Sequence, residues 1–221
     1  MPFHYFYDPV RFLSEFLYTG IIVLLCFLIY FKTKEVYDLT KYEGIRYFRN
    51  AFIFFGLAYI ARFALPFLQL SGAAFGIITQ RIMVFPLFMV IVSYLSTMAI
   101  FYLTYSTIWK KIKYKNFITL SNITAAALSI IAFLTRSPFI LSMLQFLLLV
   151  FAIIITAKKH KKGKKKSYIK ALYFSVFFFW LINLFVLDTR SFFRFEFKII
   201  FQIISVIIFV IIFFRIKKWI K

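Results

Sequence analysis

The sequence predicts an all-α fold: an integral membrane seven-helix bundle with its N-terminus out and its C-terminus in. Two observations carry this prediction. The 221-residue chain is 63% hydrophobic with a mean hydropathy of +0.90, and its apolar residues form seven stretches close to the roughly 20 residues that cross a hydrocarbon layer. Lys and Arg residues collect beside alternate stretches, as they do in the cytoplasmic loops of membrane proteins.

The predicted spans lie at approximately 13–31, 50–70, 82–108, 117–135, 138–157, 171–187 and 199–214. We expect helices because a helix satisfies its own backbone hydrogen bonds in lipid, and because the alternation typical of a barrel strand does not occur in the sequence. The connections between spans are too short to fold independently. Residues 1–221 are therefore expected to form a single transmembrane domain.

The basic residues predict the orientation. Of the 28 Lys and Arg, 21 fall in the segments 32–49, 110–115, 158–170 and 215–221. We expect the protein in the cell (cytoplasmic) membrane. Its basic segments are expected on the cytoplasmic side, facing a lipid bilayer with anionic headgroups. A net charge of +21 would favour nucleic acid in a soluble protein. Here the loop position explains the charge, so no nucleic-acid partner is expected.

The connection after the first span, residues 32–49, has acidic residues among its bases. Val36, Leu39 and Tyr42 could form one apolar stripe of a short helix that lies at the headgroups. An ordinary ordered loop is the alternative interpretation. The connection between the fourth and fifth spans is much shorter, since Pro138 directly follows Ser137 and marks a helix start. These two spans are therefore expected to form an antiparallel hairpin.

Small and polar residues predict the interior of the bundle. They recur at helical spacing in the fourth span at Asn122, Ala125, Ala126, Ser129 and Ala132, and in the third at Ser93, Thr97 and Thr104. Such faces pack better against helices than against lipid. We therefore expect the third and fourth spans at the centre and the seventh at the lipid edge, since the seventh has only Gln202 and Ser205 among bulky apolar residues.

An internal repeat is a further possibility. Spans one to three and five to seven share their orientation, as in a three-plus-one-plus-three duplication. The segments that begin at Tyr47 and Tyr168 both approach the membrane through an aromatic residue, a base and an alanine. Interfacial anchors share this pattern, so ordinary anchoring is the alternative explanation.

The residues that most enzymes need are missing. His4 and His160 are the only histidines and lie on opposite sides, and Cys26 is the only cysteine. The sequence has no Gly-rich phosphate loop and no hydrolase or metalloprotease motif, and no Asp or Glu lies deep in a span. We therefore expect no enzyme, no metal and no cofactor. Retinal is excluded as well, because no lysine lies within 199–214.

The run 158–166 is the strongest local charge signal. It predicts anionic-lipid binding by Lys158, Lys159, Lys161, Lys162, Lys164, Lys165 and Lys166. Each base near an anionic surface contributes about 1 kcal/mol. Retention of the loop by the positive-inside rule alone explains the run too, and a specific anionic partner, lipid or protein, is the alternative.

Arg62 is the sharpest local clue to a site. It lies 13 residues beyond Arg49, about 20 Å across the membrane at 1.5 Å per residue, where an unpaired charge is costly. The candidates for an outward-facing ligand pocket are Arg62, Tyr59, Glu15, Asp188 and Glu196. Among these, Glu15 and Glu196 are the favoured partners of Arg62. An arginine that snorkels outward to the headgroups is the alternative.

A resemblance adds to these inferences. Phe31-Lys-Thr-Lys-Glu-Val-Tyr-Asp-Leu-Thr-Lys, followed by Gly44-Ile-Arg-Tyr-Phe-Arg-Asn-Ala-Phe, resembles uncharacterised archaeal seven-span membrane proteins and, more loosely, the seven-helix sensor domains of histidine kinases. The resemblance covers spans one and two and has no catalytic motif. It implies a sensor or receptor-like module for a small or lipidic ligand. The alternatives are a small-solute transporter with a three-plus-one-plus-three layout and a membrane-assembly scaffold.

The likeness to sensor domains also bears on partners. After the last span the sequence continues only to Lys221 and includes no effector domain. A separate cytoplasmic protein that contacts the basic loops is therefore the expected partner of a sensor.

Overall fold

The computed structural model describes residues 9–74, 81–110, 114–159, 164–187 and 195–220. In these ranges the chain is helical and has no strand. The helices are α1 (Pro9–Thr40), α2 (Glu43–Ala74), α3 (Arg81–Ile108), α4 (Tyr114–Thr135), α5 (Pro138–Lys159), α6 (Lys164–Leu187) and α7 (Phe195–Ile220). The predicted all-helical fold is confirmed.

The helices have the length and composition of a multi-pass membrane protein. Six of them are long and apolar enough to cross a membrane, and the described apolar part of α6, Ala171–Asn183, is shorter. Thus six of the seven predicted spans meet this length criterion within the described ranges.

Neighbouring helices alternate in direction. Tyr42, just before α2, packs edge-on against Trp109 at the end of α3, with ring centroids 5.3 Å apart. At the opposite end, Glu15 near the start of α1 forms an ion pair with Lys198 near the start of α7. The C-terminal ends of α1, α3, α5 and α7 therefore share one face, which we call the basic face because the basic segments lie there. The opposite face is called the outer face.

The helices close into a ring in chain order. Each packs against the next, α7 packs against α1, and α3 also packs against α5. The contact between α3 and α5 leaves α4 outside an inner ring of six helices. Half of the 18-residue apolar stretch of α3 is buried inside the bundle, whereas 28% of the corresponding stretch is buried in α4 and in α7. The central position predicted for the third span is therefore confirmed.

The central position predicted for the fourth span is wrong. Of the described helices, α4 packs only against α3 and α5, and it exposes Leu120, Ile123, Ile130 and Leu134 on its other side. Its small face is buried, but through Ser121, Ala125, Ser129 and Ala132, while Ala126 is exposed. The seventh span is no more peripheral than the fourth, because Ser205, Phe209 and Ile212 are fully buried. A polar stripe shows which side of a helix packs, but not how many helices pack on it.

The segment 32–49 is neither a headgroup helix nor a loop. The helices α1 and α2 both continue through it to a two-residue turn at Lys41 and Tyr42, where Lys41 has a φ of 50°. Each helix has 32 residues, about 48 Å at 1.5 Å per residue, and thus exceeds a hydrocarbon layer of roughly 30 Å. The predicted apolar stripe is not buried, since Leu39 is 84% exposed. The hairpin turn lies at the basic face, level with the end of α3, because Tyr42 packs on Trp109 there.

The predicted hairpin of the fourth and fifth spans is confirmed. Arg136 and Ser137 connect α4 to α5 directly. Arg136 has a φ of 50°, and its N–H donates to the Ala132 carbonyl at 3.1 Å. The Ser137 carbonyl accepts from the N–H of Leu141 at 3.3 Å, which begins the next helix.

Aromatic side chains fill the centre of the ring. The rings of Phe179 and Phe209 stack at 4.5 Å between centroids, and Phe55 packs on Trp180 at 4.4 Å. A cavity of about 10 Å³ remains between α2, α3, α6 and α7. Its lining is apolar: Ala51, Phe52, Phe55, Leu103, Val176, Phe179, Trp180 and Phe209. Since one water molecule needs about 10–15 Å³, this cavity has no room for a ligand.

Candidate functional site

Four buried polar side chains from four helices meet in the half of the bundle near the outer face. They are Tyr18 of α1, Tyr59 of α2, Asn183 of α6 and Ser205 of α7, and none is more than 6% exposed. We call this group the outer cluster. It joins the first two helices to the last two across the centre of the ring.

Asn183 is the centre of the outer cluster. Its Oδ1 accepts hydrogen bonds from the hydroxyls of Tyr18 and Tyr59. Its Nδ2 donates to the Phe179 carbonyl at 2.8 Å and to Ser205 Oγ at 3.1 Å. Ser205 Oγ also lies 3.0 Å from the Tyr18 hydroxyl, to which it can donate. The side-chain amide therefore uses both N–H groups and both acceptor positions, which fixes its orientation.

Each member of the outer cluster lies at the outer end of an apolar stripe. On α1 the buried stripe runs through Tyr18, Ile22, Leu25 and Ile29, and on α2 through Phe48, Phe52, Phe55 and Tyr59. On α6 and α7 it runs through Val176, Phe179 and Asn183, and through Ser205, Phe209 and Ile212. The spacing of three and four residues holds each stripe on one helix face. The polar residues meet because all four stripes face the same interior.

Three charged side chains follow the outer cluster toward the outer face along α1, α2 and α7. Arg62 follows Tyr59 by one turn on α2, is partly buried, and acts electrostatically on the hydroxyls of both Tyr18 and Tyr59. Glu15 precedes Tyr18 by one turn on α1 and forms an ion pair with Lys198 of α7. The side chains of Glu15 and Lys198 are only 32% and 18% exposed. Charge in this half of a bundle is costly and is usually functional.

The structure brings together several of the predicted pocket residues. Tyr59 belongs to the outer cluster. Arg62 lies one helical turn from Tyr59 toward the outer face, and Glu15 lies one turn from Tyr18 in the same direction. Glu15, the acid among these residues, forms an ion pair with Lys198. An acidic partner for Arg62 stays a prediction. Glu196 lies exposed in the first turn of α7, and Asp188 lies outside the described residues. The pocket as a whole also stays a prediction.

Sequence reasoning missed Tyr18, Asn183, Ser205 and Lys198 as site residues. Asn183 carried a signal, because it is the only amide in the apolar stretch of α6, where an unpaired amide would be costly. Ser205 was noted only as one of two polar residues in the seventh span, and Tyr18 carried no signal, since their importance comes from neighbours on other helices. Lys198 directly precedes the last predicted span, 199–214, and sequence reasoning gave it no role.

A second polar group lies between α3 and α5. Gln145 Nε2 donates to Ser96 Oγ, and Ser96 Oγ in turn donates to the Val92 carbonyl at 2.6 Å. Ser93 and Thr97, predicted as an interior stripe, are fully buried. Their hydroxyls and Gln145 Oε1 have no hydrogen-bond partner in the described part of the chain. This group holds α3 against α5.

The hairpin on the basic face is ordered by its aromatic and charged residues. The Arg49 guanidinium lies over the rings of Tyr30 and Tyr37, 5.0 and 5.4 Å from their centroids. The Tyr37 hydroxyl donates to Glu43 Oε1 at 3.1 Å. The three acids of the hairpin form ion pairs with bases three residues away: Lys32–Glu35, Asp38–Lys41 and Glu43–Arg46. These contacts hold the α1 and α2 ends of the hairpin together.

The predicted lipid-binding lysines lie where α5 ends and α6 begins. Lys158 and Lys159 belong to the last turn of α5, and Lys158 is exposed. Lys164, Lys165 and Lys166 begin α6, whereas Lys161 and Lys162 lie outside the described residues. Binding of anionic lipid by these residues stays a prediction. Within the described ranges, no three His, Cys, Asp or Glu side chains come together as metal ligands would.

Comparison with known proteins supports one part of the sequence analysis. The chain is 37% identical over 186 residues to an uncharacterised protein of Archaeoglobus fulgidus, with 80% of each chain covered. This relative confirms the resemblance to uncharacterised archaeal proteins. No family model matches the chain, and no solved structure matches it.

Proposed function

The chain belongs to the same family as this archaeal protein, and we propose that it is a sensor or receptor-like membrane protein. In this proposal a small ligand binds at the outer cluster and changes the arrangement of the helices. A separate cytoplasmic protein binds at the basic face and responds to this change. The protein performs no chemistry on the ligand. The observation that carries the proposal is the outer cluster itself, a four-helix hydrogen-bond network with charged side chains farther along the same helices toward the outer face.

A ligand at this position can act on the whole bundle. A polar group that competes for Asn183 or for the two tyrosine hydroxyls changes the hydrogen bonds that join α1 and α2 to α6 and α7. A ligand shifts a conformational equilibrium only by its difference in affinity for the two states. Because one amide holds all four helices, a ligand that displaces it favours a different helix arrangement.

The same helices reach the cytoplasmic partner. Tyr18 and Tyr59 lie on α1 and α2, which also form the hairpin at the basic face. From Tyr18 to its end at Thr40, α1 rises by 22 residue steps, about 33 Å at 1.5 Å per residue. A small rotation at the outer cluster therefore displaces the tip of the hairpin, where Leu39 is 84% exposed and available to a partner.

The first experiment seeks the ligand. Compounds are screened for thermal stabilisation of the purified protein in detergent, since a ligand at 100 times its Kd stabilises by about 2.7 kcal/mol. Tyr59→Phe should abolish the stabilisation. Tyr94→Phe is the matched control, because its hydroxyl bonds Asn122 on α4, away from the outer cluster.

The second experiment tests sensing. Spin labels at Leu39→Cys and Thr119→Cys on a Cys26→Ala background report the distance between the hairpin tip and α4. We expect the ligand from the screen to change this distance, and Asn183→Leu to remove the change. An unchanged distance at saturating ligand would contradict the sensor.

A transporter is the second candidate, and the inner ring favours it. The contacts α1–α2, α2–α3 and α3–α5 correspond to α5–α6, α6–α7 and α7–α1, as a two-fold repeat of α1–α3 and α5–α7 would require. The bond between Tyr18 and Ser205 has its counterpart between Gln145 and Ser96. Ligand flux into sealed proteoliposomes, without a change at the hairpin tip, would favour transport over sensing.

Lipid is the proposed partner of the basic face in a cytoplasmic membrane. The support is the position of the basic segments, which lie at the same ends of the helices. Replacing the lysines of 158–166 with Gln should weaken attachment of this region to anionic vesicles, by a margin that shrinks as salt screens the charges. Equal accessibility of the region in anionic and neutral vesicles would count against this proposal.

A further inference from the structure

The hairpin of α1 and α2 has more bases than its acids can pair. Segment 32–49 has five bases and three acids. Each acid forms an ion pair with a base three residues away, at distances of 2.8, 3.9 and 3.5 Å. Lys34 and Arg49 take no part in these pairs, and within the described ranges neither has an ion pair of its own. Two cationic groups of the hairpin are therefore left for an anion that is not part of the fold.

Arg49 differs from Lys34 because its side chain is held in place. Its guanidinium lies over the rings of Tyr30 and Tyr37, 5.0 and 5.4 Å from their centroids, whereas Lys34 is exposed. The Nε atom of Arg49 is buried and has no hydrogen-bond partner in the described part of the chain. The two terminal nitrogens are accessible and donate no hydrogen bond there either. The rings thus fix the guanidinium while its terminal N–H groups stay available.

The depth of Arg49 in the membrane narrows the choice of anion. Tyr30 lies at the end of the predicted span 13–31, and Arg49 directly precedes the span 50–70. Basic and aromatic residues at the ends of spans lie at the level of the lipid headgroups. The acidic side chains outside 32–49 are at the outer face, or next to it in the sequence: Asp8, Glu15, Asp188 and Glu196. The anion available to Arg49 at its own depth is the phosphate of a lipid headgroup.

We infer that Arg49 binds the phosphate group of a lipid headgroup, with Tyr30 and Tyr37 as positioning residues. This inference rests on the proposed contact between the basic face and lipid, and it assigns that contact a specific site. The fork of N–H groups on a guanidinium matches two phosphate oxygens in two-point geometry. Because the rings already hold the side chain in one orientation, Arg49 loses less conformational entropy on binding than a freely moving lysine does.

Lys34 adds charge beside this site. It follows Tyr30 by four residues and precedes Tyr37 by three, so the three residues are neighbours on one face of α1. A lysine ammonium is a point charge without a fork. Lys34 should therefore strengthen the attraction of a phosphate without fixing its orientation. Its replacement by Gln should cost less affinity than the replacement of Arg49.

The test measures the binding of single lipid molecules to the purified full-length protein in detergent by native mass spectrometry. The probes are dioleoyl phosphatidylglycerol and dioleoylglycerol, which has the same chains and no phosphate. We expect the protein to bind the phospholipid about tenfold more tightly, as a two-point charge-assisted contact provides. Arg49→Gln should remove most of this preference. Arg49→Lys should remove part of it, because lysine keeps the charge and loses the fork.

Lys115→Gln is the matched control. This exposed lysine at the start of α4 gives the same change of charge on the same face, and α4 packs against α3 and α5, away from the hairpin. The ratio of the two lipid affinities should stay unchanged in this variant. Tyr30→Leu keeps Arg49 and removes one of its two rings. It should lower the ratio, which a general loss of stability would not do.

The outcomes separate this inference from the proposed lipid contact. An equal loss of preference in Arg49→Gln and Lys115→Gln would overturn the site and keep a general attraction of lipid to the basic face. Equal affinity of the unmodified protein for the two lipids would overturn the inference, while the vesicle experiment on the lysines of 158–166 tests the proposed contact independently. If Arg49→Gln does not fold, Arg49→Lys provides the same comparison.

Soluble phosphates distinguish the two sources of a phosphate group. Inorganic phosphate and glycerol phosphate are added in excess to the protein with bound phosphatidylglycerol. We expect neither compound to displace the lipid, because neither has acyl chains to bury beside the helices. Displacement by either compound, lost in Arg49→Gln, would overturn the lipid as the source and assign the site to a soluble phosphate compound.

Discussion

At the residue scale, Asn183 determines the geometry of the outer cluster. A lone amide in an apolar helix is costly unless its donors and acceptor are used. Here the amide uses all of them, on three other helices and on its own backbone. One side chain therefore sets the relative position of four helices, and its loss leaves two tyrosine hydroxyls without their acceptor.

We expect Asn183→Leu to destabilise the protein by about 1–3 kcal/mol, since buried polar groups left unpaired cost this much. The measurement is unfolding in mixed detergent micelles followed by circular dichroism. Ser129→Ala is the control, because the Ser129 hydroxyl donates to the Ala125 carbonyl of its own helix at 2.8 Å and, among the described residues, joins no second helix. Equal loss of stability in the two variants would show that Asn183 does not couple helices.

Gly44 is the second position where one residue decides local structure. A Cβ built there would lie 2.5 Å from Tyr42 Cε1, 3.0 Å from Trp109 Nε1 and 3.1 Å from the Ser106 carbonyl oxygen. Gly44→Ala should therefore destabilise by about 1–3 kcal/mol, as overpacking does. Gly20→Ala is the matched control: a Cβ there has no neighbour within 4 Å, and alanine favours the helix by up to about 1 kcal/mol. Stabilisation by both substitutions would mean that α2 does not approach the end of α3 this closely.

At the element scale, the main feature is the hairpin of α1 and α2. Its helices continue through 32–49 because Arg49 packs over Tyr30 and Tyr37 and because the acids of this segment pair along the helices. A contact between a cation and an aromatic ring contributes about 0.5–1 kcal/mol at an exposed site. Several such contacts explain why the segment is helical although its sequence also fits a loop.

The hairpin gives the predicted topology a direct test. A cysteine at Leu39, on a Cys26→Ala background, should react with an impermeant thiol reagent in inverted vesicles and not in intact cells. A cysteine at Arg136, exposed in the turn between α4 and α5, should show the opposite pattern. Labelling of the Leu39 position in intact cells would show that the whole bundle has the opposite orientation in the membrane.

At the scale of the whole molecule, the ring closes where α1 meets α7. This seam is joined by the ion pair of Glu15 and Lys198 and by the hydrogen bond of Tyr18 and Ser205. Both bonds lie near the outer face, beside the proposed ligand site. The seam is therefore the place where ligand binding can open or tighten the ring.

The seam predicts a measurable coupling. In a double-mutant cycle with Glu15→Gln and Lys198→Gln, we expect the pair to couple by about 1 kcal/mol, since both side chains are partly exposed and screened. Lys32→Gln with Glu35→Gln is the control, because this pair lies within one helix at 2.8 Å and is 42% and 57% exposed. Its coupling should be a few tenths of a kcal/mol. A coupling near zero for Glu15 and Lys198 would show that this ion pair does not stabilise the seam.

The sequence by itself determined the helices of this protein. Long apolar stretches must become helices in lipid because only a helix satisfies its backbone there, and the resemblance of 31–52 to archaeal proteins needed no structure. The tight hairpin at Pro138 and the interior position of Ser93 and Thr97 also follow from local chemistry. Sequence reasoning singled out Arg62 and Glu15 because charge in or beside an apolar span stands out in any fold, and their role in a pocket stays a prediction.

Only the tertiary structure decided which helices meet. It placed α4 outside the inner ring, extended α1 and α2 into a hairpin, and assembled Tyr18, Asn183 and Ser205 around Tyr59. It also assigned Glu15 to Lys198. The physical reason is that hydropathy measures the transfer of one segment into lipid, where every apolar face is equally acceptable. The choice between faces depends on packing and hydrogen bonds between segments distant in sequence.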